Sequence, residues 1–137
     1  MKARCLCDAV EIDAHNNSVK VEACHCAMCR KWGGGPLLVI ACGDEVTING
    51  EDHVSLHPSS DWAERGFCRR CGTHLFYRLS DSKQYMVPAG LFDEQGEFVF
   101  EEQIFIDKKP GYYSFANATH NLTEAQVFEK FAPGTES

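Results

Sequence analysis

The chain has 137 residues and is 44% hydrophobic, which is enough to build the core of one domain over residues 1–137. Its 13 basic and 20 acidic residues give a formal charge of −7, so nucleic-acid binding is not expected. No apolar run approaches the roughly 20 residues that span a bilayer, and none follows the N-terminus as in a secretory signal. We therefore expect a cytoplasmic protein that binds neither nucleic acid nor membranes.

Short segments in which apolar and polar residues alternate dominate the chain and predict a mostly β fold. Val19, Val21 and Ala23 alternate with polar neighbours and predict a strand that leads to Cys24. The continuous apolar run of residues 36–42 predicts a buried strand. Further strands are expected at residues 74–78, 85–87 and 98–106.

A hairpin is expected in the middle of the chain. Val46 and Ile48 predict its first strand, and Asn49-Gly50 after them is typical of a tight turn. Val54 and Leu56 would then lie in the returning strand.

One short helix is expected near the end of the chain, at roughly residues 123–131. Thr123 at the N-cap and Gln126 three residues later fit a capping box, in which each side chain bonds the other residue's backbone N–H. Leu122 and Val127 occupy the positions of the hydrophobic staple around this cap.

Eight cysteines are too many for chance packing in a cytoplasmic chain of this size, where the environment is reducing and metal binding is favoured over disulfides. Cys42 stands alone in the sequence. The other seven fall into three tight groups: Cys5-x-Cys7, Cys24-x-Cys26-x-x-Cys29 and Cys68-x-x-Cys71.

Two of these groups together supply four thiols. The two residues between Cys68 and Cys71 allow a tight turn that places both sulfurs on one ion, and Gly72 suits the positive φ with which the chain leaves it. Cys5 and Cys7 would face the same side of a strand. Four thiolates close a tetrahedral zinc, so a structural site is expected, with a redox dithiol as the alternative.

The third group has three thiols. Cys24, Cys26 and Cys29 would leave the fourth position of a tetrahedral zinc for water or an incoming thiol, which favours a catalytic site. Three alternatives stay open: Cys42 as a fourth ligand, His25 as a ligand, or an iron–sulfur cluster.

Two cations follow the third group directly. Arg30 or Lys31 could bind a carboxylate of a thiol substrate, and the glycines at 33, 34 and 35 permit a ligand to approach the backbone. The alternative is a solvated Arg-Lys pair on a flexible turn. No general base is evident beyond His25.

Three ordered motifs resemble the glutathione-dependent formaldehyde-activating (GFA) family, also called the CENP-V/GFA domain. They are a Cys-x-Cys near the N-terminus, a Cys-His-Cys-x-x-Cys-Arg-Lys segment at residues 24–31, and a Phe-Cys-x-x-Cys-Gly-Thr-His-Leu segment at residues 67–75. The resemblance spans about residues 3–113, nearly the whole chain.

The resemblance implies an Mss4-like fold of small packed antiparallel sheets and two zinc ions per chain. It places the structural zinc on Cys5, Cys7, Cys68 and Cys71, and the catalytic zinc on Cys24, Cys26 and Cys29. It also implies a carbon–sulfur lyase that forms S-hydroxymethylglutathione from glutathione, its small thiol substrate, and formaldehyde.

The chain departs from the family pattern at two positions. Gln103 and Gly111 stand where members often carry a His before the Ile-Phe run and a Trp after it. These differences bear on which thiol the chain uses. The alternative to an enzyme is a binding or scaffold module with two zinc ions and no catalysis.

Overall fold

The computed structural model describes residues 1–16 and 18–130. Strand makes up 41% and helix 18%, which confirms the mostly β fold. The strands and helices are β1 (Lys2–Arg4), β2 (Glu11–Ala14), β3 (Lys20–Cys24), α1 (Ala27–Gly33), β4 (Leu37–Gly43), β5 (Val46–Asn49), β6 (Val54–His57), β7 (Ala63–Cys68), β8 (His74–Leu79), β9 (Tyr85–Pro88), β10 (Val99–Ile104), β11 (His120–Leu122) and α2 (Glu124–Lys130).

The backbone separates into two compact units. The first contains Met1–Val19 and Val39–Phe98, and the second contains Lys20–Leu38 with the described residues of Val99–Ser137. No helix in the described part of the chain is long and apolar enough to cross a membrane.

The first unit holds two antiparallel sheets. One has the strand order β1-β2-β5, and its alternation buries Ala3, Ile12 and Ala14 completely. The other contains β4-β9-β8-β7-β6 and buries Ile40 and Leu75. Alternating apolar residues thus line the core of the first unit, as their period of two requires.

The predicted hairpin at Asn49-Gly50 is wrong. β5 pairs with β2, β6 pairs with β7, and a 3₁₀ helix at Glu51–His53 lies between β5 and β6. Gly50 does adopt the left-handed conformation, with φ of 87°. The chain therefore turns where the Asn-Gly pair indicates, but partners distant in sequence provide the pairing.

The second unit holds a sheet with the order β11-β10-β3, in which both pairings are parallel. This differs from the antiparallel sheets that the resemblance implies. β10 is paired on both edges, and its polar residues Glu102 and Gln103 are buried. The register places Gln103 opposite Ala23 and Ile104 opposite Cys24, so β10 lies beside the third cysteine group.

The predicted capping box is confirmed at the start of α2. Thr123 Oγ1 accepts the Gln126 N–H at 3.2 Å, and Gln126 Oε1 accepts the Thr123 N–H at 2.8 Å. The helix runs from Glu124 to Lys130, and residue 131 of the predicted span lies outside the described residues.

A glycine under an aromatic ring generates a test of packing in the first unit. Gly66 in β7 lies opposite Phe76 in β8, and a Cβ at Gly66 would lie 2.4 Å from Phe76 Cζ. The Phe76 ring is held edge-on against Tyr85 with centroids 5.1 Å apart, so it has little room to move. Gly66→Ala should lower the free energy of unfolding by about 1–3 kcal/mol in denaturant titrations.

The matched control is Gly96→Ala, because a Cβ at Gly96 would meet no atom within 4 Å. This variant should stay within about 0.5 kcal/mol of the parent. Equal stability of the two variants would contradict the close packing of Phe76 on Gly66.

Candidate metal centres

Four sulfurs converge in the first unit. The ligand atoms of Cys5, Cys7, Cys68 and Cys71, the four-thiol cluster, all lie within 4.8 Å of one another. The Sγ atoms of Cys5 and Cys7 are 3.7 Å apart, and those of Cys7 and Cys68 are 3.8 Å apart. Zinc–sulfur bonds of about 2.3 Å in a tetrahedron separate the sulfurs by roughly 3.8 Å. The donor set and its spacing therefore fit a zinc ion.

Turns rather than a strand deliver the first two sulfurs, which corrects the expectation for Cys5 and Cys7. β1 ends at Arg4, and the chain then turns, with the Asp8 N–H donating to the Cys5 carbonyl at 3.1 Å. Asp8 takes φ of 61°, in the left-handed region that an Asp tolerates. The turn brings the two sulfurs together, with Cys5 buried and Cys7 exposed, while the Leu6 side chain between them is exposed.

The other two sulfurs lie in the turn between β7 and β8, as predicted. The Gly72 N–H donates to the Cys68 carbonyl at 2.7 Å, and Gly72 has φ of 78°. The Thr73 hydroxyl lies 3.2 Å from Cys71 Sγ and accepts the Leu6 N–H at 3.1 Å. Thr73 thereby connects the two turns that carry the cluster.

The thiols of the four-thiol cluster differ in their pKa values. Hydrogen bonds from the Thr73 hydroxyl and backbone lower the pKa of Cys71 to about 5. The pKa of Cys7 rises to about 11, because a lowering hydrogen bond from the Ala9 backbone is outweighed by loss of hydration and by bonds with neighbouring thiols. Close thiols resist a second ionisation, and a bound cation removes that penalty.

Three sulfurs converge in the second unit. The ligand atoms of Cys24, Cys26 and Cys29, the three-thiol cluster, lie within 4.8 Å of one another. Cys24 and Cys29 are buried, and Cys26 is partly exposed. The neighbouring thiols Cys26 and Cys29, together with burial, raise the pKa of Cys24. Among the described residues, no further Cys, His, Asp or Glu joins this group.

A helix shapes the three-thiol cluster, where a flexible turn was one interpretation of the sequence. Cys26 is the N-cap of α1, and its Sγ accepts the Cys29 N–H at 3.3 Å. Gly34 ends the helix with φ of 86° and donates to the Arg30 carbonyl. The glycines after Trp32 are typical of the C-terminal end of a helix. A cysteine is an unusual N-cap, so the sequence did not predict that a helix starts after Cys26.

His25 is committed to other partners and does not join the three thiols. Its side chain is completely buried, its Nε2 donates to Gln103 Oε1 at 2.8 Å, and its Nδ1 accepts from Tyr113 Oη at 2.8 Å. Burial lowers the pKa of His25, and the charges of Lys109 and Arg30 add to this effect against the Gln103 bond. The buried, neutral ring holds the backbone between Cys24 and Cys26 and is poorly placed to serve as a ligand or base.

Gln103 is an integral part of this network, although it departs from the family pattern. Its Nε2 donates to Thr119 Oγ1 at 2.9 Å, and the Thr119 hydroxyl donates to Asn121 Oδ1 at 2.7 Å. Tyr113 and Thr119 were not predicted as part of the site, since no local sequence pattern links positions 25, 103, 113 and 119. Gly111, the other departure, is exposed.

Cys42 joins neither cluster. It is completely buried in the first unit, where its Sγ lies 3.5 Å from the Ile40 carbonyl, and burial raises its pKa to about 11. Of the two cations proposed to contact substrate, Arg30 is half-buried and donates through Nε to the His25 carbonyl at 2.9 Å, whereas Lys31 is exposed.

Several known proteins are similar to this chain in sequence. A Schizosaccharomyces pombe protein named as an uncharacterized lyase is 34% identical over 129 residues, which cover 93% of this chain and 94% of the relative. A Podospora anserina protein provisionally named a glutathione-dependent formaldehyde-activating enzyme is 33% identical over 68% of this chain, which spans 48% of that relative. A similarly named Penicillium rubens protein is 29% identical, and this chain spans 54% of it.

A crystal structure of a Rhodobacter sphaeroides protein matches the fold with a TM-score of 0.57 and 26% identity, covering 68% of this chain and 88% of that one. The model of the family described as glutathione-dependent formaldehyde-activating enzyme matches residues 1–108 of the chain. The match to the family model, the two cysteine clusters and the similarity to the relatives all point to the same family. The chain belongs to the glutathione-dependent formaldehyde-activating (GFA) family.

Proposed function

We propose that the protein is a zinc-dependent enzyme of the carbon–sulfur lyase type that acts on a small thiol–aldehyde adduct. Formation of S-hydroxymethylglutathione from glutathione and formaldehyde is the reaction that the family name suggests. The observation that carries the proposal is the convergence of three thiols, Cys24, Cys26 and Cys29, without a fourth protein ligand among the described residues.

The four-thiol cluster is proposed to hold a structural zinc. Cys5 and Cys7 come from the turn after β1, and Cys68 and Cys71 come from the turn between β7 and β8. A single ion there would tie together two segments of the first unit and would leave no position for substrate. Free thiols in such number suit the reducing cytoplasm, where we place the protein.

The three-thiol cluster is proposed to hold the catalytic zinc. Held by Cys24, Cys26 and Cys29, a zinc ion would accept a further ligand from outside the protein and would lower the pKa of a thiol bound there. Cys26 is the more exposed of the three ligands, so its side of the cluster admits substrate. Arg30 and Lys31 on α1 are proposed to contact the carboxylates of the thiol.

The proposed reaction requires only a modest rate gain from the protein. The thiol sulfur forms a bond to the aldehyde carbon, the carbonyl π bond breaks, and the thiol proton ends on the new hydroxyl group. Thiols add to formaldehyde without a catalyst, so orientation and a lowered thiol pKa can supply the required rate gain. The fixed ring of His25 and the helix α1 hold the three cysteines in the geometry that this requires.

Two serine variants should separate the roles of the two clusters. Cys71→Ser should lose zinc and unfold the first unit, because binding of a structural zinc contributes folding energy directly. Cys26→Ser should keep its fold and about one zinc, and should lose thiol binding. Metal analysis and thermal melts of the purified proteins measure both effects, and a stably folded Cys71→Ser protein would contradict the structural assignment.

NMR exchange spectroscopy tests whether the protein catalyses the addition of a thiol to formaldehyde. With ¹³C-formaldehyde and glutathione at equilibrium, the zinc-loaded protein should increase the exchange rate between free formaldehyde and the hydroxymethyl adduct. Cys26→Ser should leave the rate at its uncatalysed value, since it removes one ligand of the catalytic zinc. A rate that neither protein changes, for glutathione and for other small thiols, would favour a non-catalytic module with two zinc ions.

A further inference from the structure

Two half-buried cations in the second unit lack the carboxylate partners that this acidic chain could offer. Arg30 Nε donates to the His25 carbonyl at 2.9 Å, and Lys109 Nζ donates to the carbonyls of Tyr113 at 2.5 Å and Pro110 at 3.1 Å. Within residues 1–16 and 18–130, neither cation forms an ion pair with a carboxylate.

Two other partly buried cations of the chain do have carboxylate partners. Arg78 lies 2.6 Å from a Glu64 oxygen, and Lys20 lies 3.2 Å from a Glu102 oxygen. Since acidic residues outnumber basic ones by 20 to 13, a shortage of carboxylates does not explain the contrast. Carbonyl groups hold Arg30 and Lys109 in position without neutralising them.

Hydrogen bonds connect these two cations to the three-thiol cluster. Arg30 bonds the backbone of His25, whose ring bonds Tyr113, and the backbone of Tyr113 bonds Lys109. The ammonium of Lys109 also lies 5.4 Å from the centroid of the Tyr113 ring. His25 lies between Cys24 and Cys26 in the chain, so the contacts of both cations lead to the segment that carries the cluster.

The positive charges of Arg30 and Lys109 exceed the negative charge of a zinc-filled three-thiol cluster. Three thiolates and a zinc ion sum to about −1, so the two cations exceed the charge of a filled site by about one unit. Lys109 retains one N–H and Arg30 retains its two terminal nitrogens for further hydrogen bonds. A carboxylate matches both the charge and the donors.

We propose that Lys109 joins Arg30 in a subsite beside the three-thiol cluster that binds a carboxylate of the thiol substrate. This inference rests on the proposed function, which places the sulfur of the same molecule at the cluster. It adds Lys109, which follows Cys29 by 80 residues and lies in none of the three cysteine motifs, to the proposed substrate contacts.

Two thiols of equal length separate the subsite from the metal. The zinc-loaded protein is titrated calorimetrically with 3-mercaptopropionate and with 3-mercaptopropanol, at low and at high salt. The parent protein should bind the carboxylate thiol about five- to tenfold more tightly at low salt, and salt should reduce this preference. Lys109→Met should remove most of the preference and leave the binding of 3-mercaptopropanol within about twofold.

The controls preserve charge or remove it elsewhere. Lys109→Arg should retain the preference, because the charge remains. Lys108→Met removes the neighbouring lysine, whose ammonium already lies 3.2 Å from a Glu124 carboxylate at the surface, and it should bind both thiols like the parent.

Each outcome decides between the two claims. If the parent binds both thiols equally well, the subsite is wrong and the thiol-binding zinc stands. A parent that binds neither thiol overturns the proposed function and the subsite with it. If Lys109→Met loses affinity for both thiols equally and Lys109→Arg does not restore it, then Lys109 only supports the fold. That result would overturn its role in binding carboxylate.

Discussion

Mutual repulsion among crowded thiolates is the constraint on which this structure depends. Seven sulfurs lie in two groups, and within each group all the ligand atoms are within 4.8 Å of one another. Thiols this close cannot all ionise unless a cation lies among them, and the formal charge of −7 adds to the cost. Bonds with neighbouring thiols and burial raise the pKa of Cys24, and loss of hydration and such bonds raise the pKa of Cys7. Metal binding and folding are therefore coupled in this account.

The two clusters meet the constraint in different ways. The four-thiol cluster joins turns that are distant in sequence, with Thr73 bonded to both, so an ion there would contribute to folding. The three-thiol cluster comes from one short segment at the end of β3 and the start of α1, and it closes no long loop. Its geometry is instead maintained by the buried ring of His25 and by Gln103 on β10. This difference is the reason for proposing a structural role for the four-thiol cluster and a catalytic role for the three-thiol cluster.

Much of this arrangement could be predicted from local sequence. The spacing of the cysteines indicates both groups, Gly72 takes the positive φ that its turn requires, and Thr123 and Gln126 form the expected capping box. These features depend on a few neighbouring residues, so a linear sequence carries their signal.

Features that depend on distant partners could not be predicted. The Asn49-Gly50 pair marks a turn, but the choice of β2 over β6 as the partner of β5 depends on packing across the unit. Likewise, the contacts of His25 with Gln103 and Tyr113 join positions about 80 and 90 residues apart, and no periodic pattern connects them. Local sequence propensities do not indicate which distant residues will be in contact.

The number of sulfurs bound to each zinc ion shows whether the three-thiol cluster accepts an external thiol. Four sulfurs at one site and three at the other average about three and a half sulfurs per zinc, and X-ray absorption of the protein with two zinc ions measures this number. The account predicts a rise to about four when a small thiol is added, as the external sulfur joins Cys24, Cys26 and Cys29. Four sulfurs per zinc before thiol is added, or a number that thiol leaves unchanged, would contradict it.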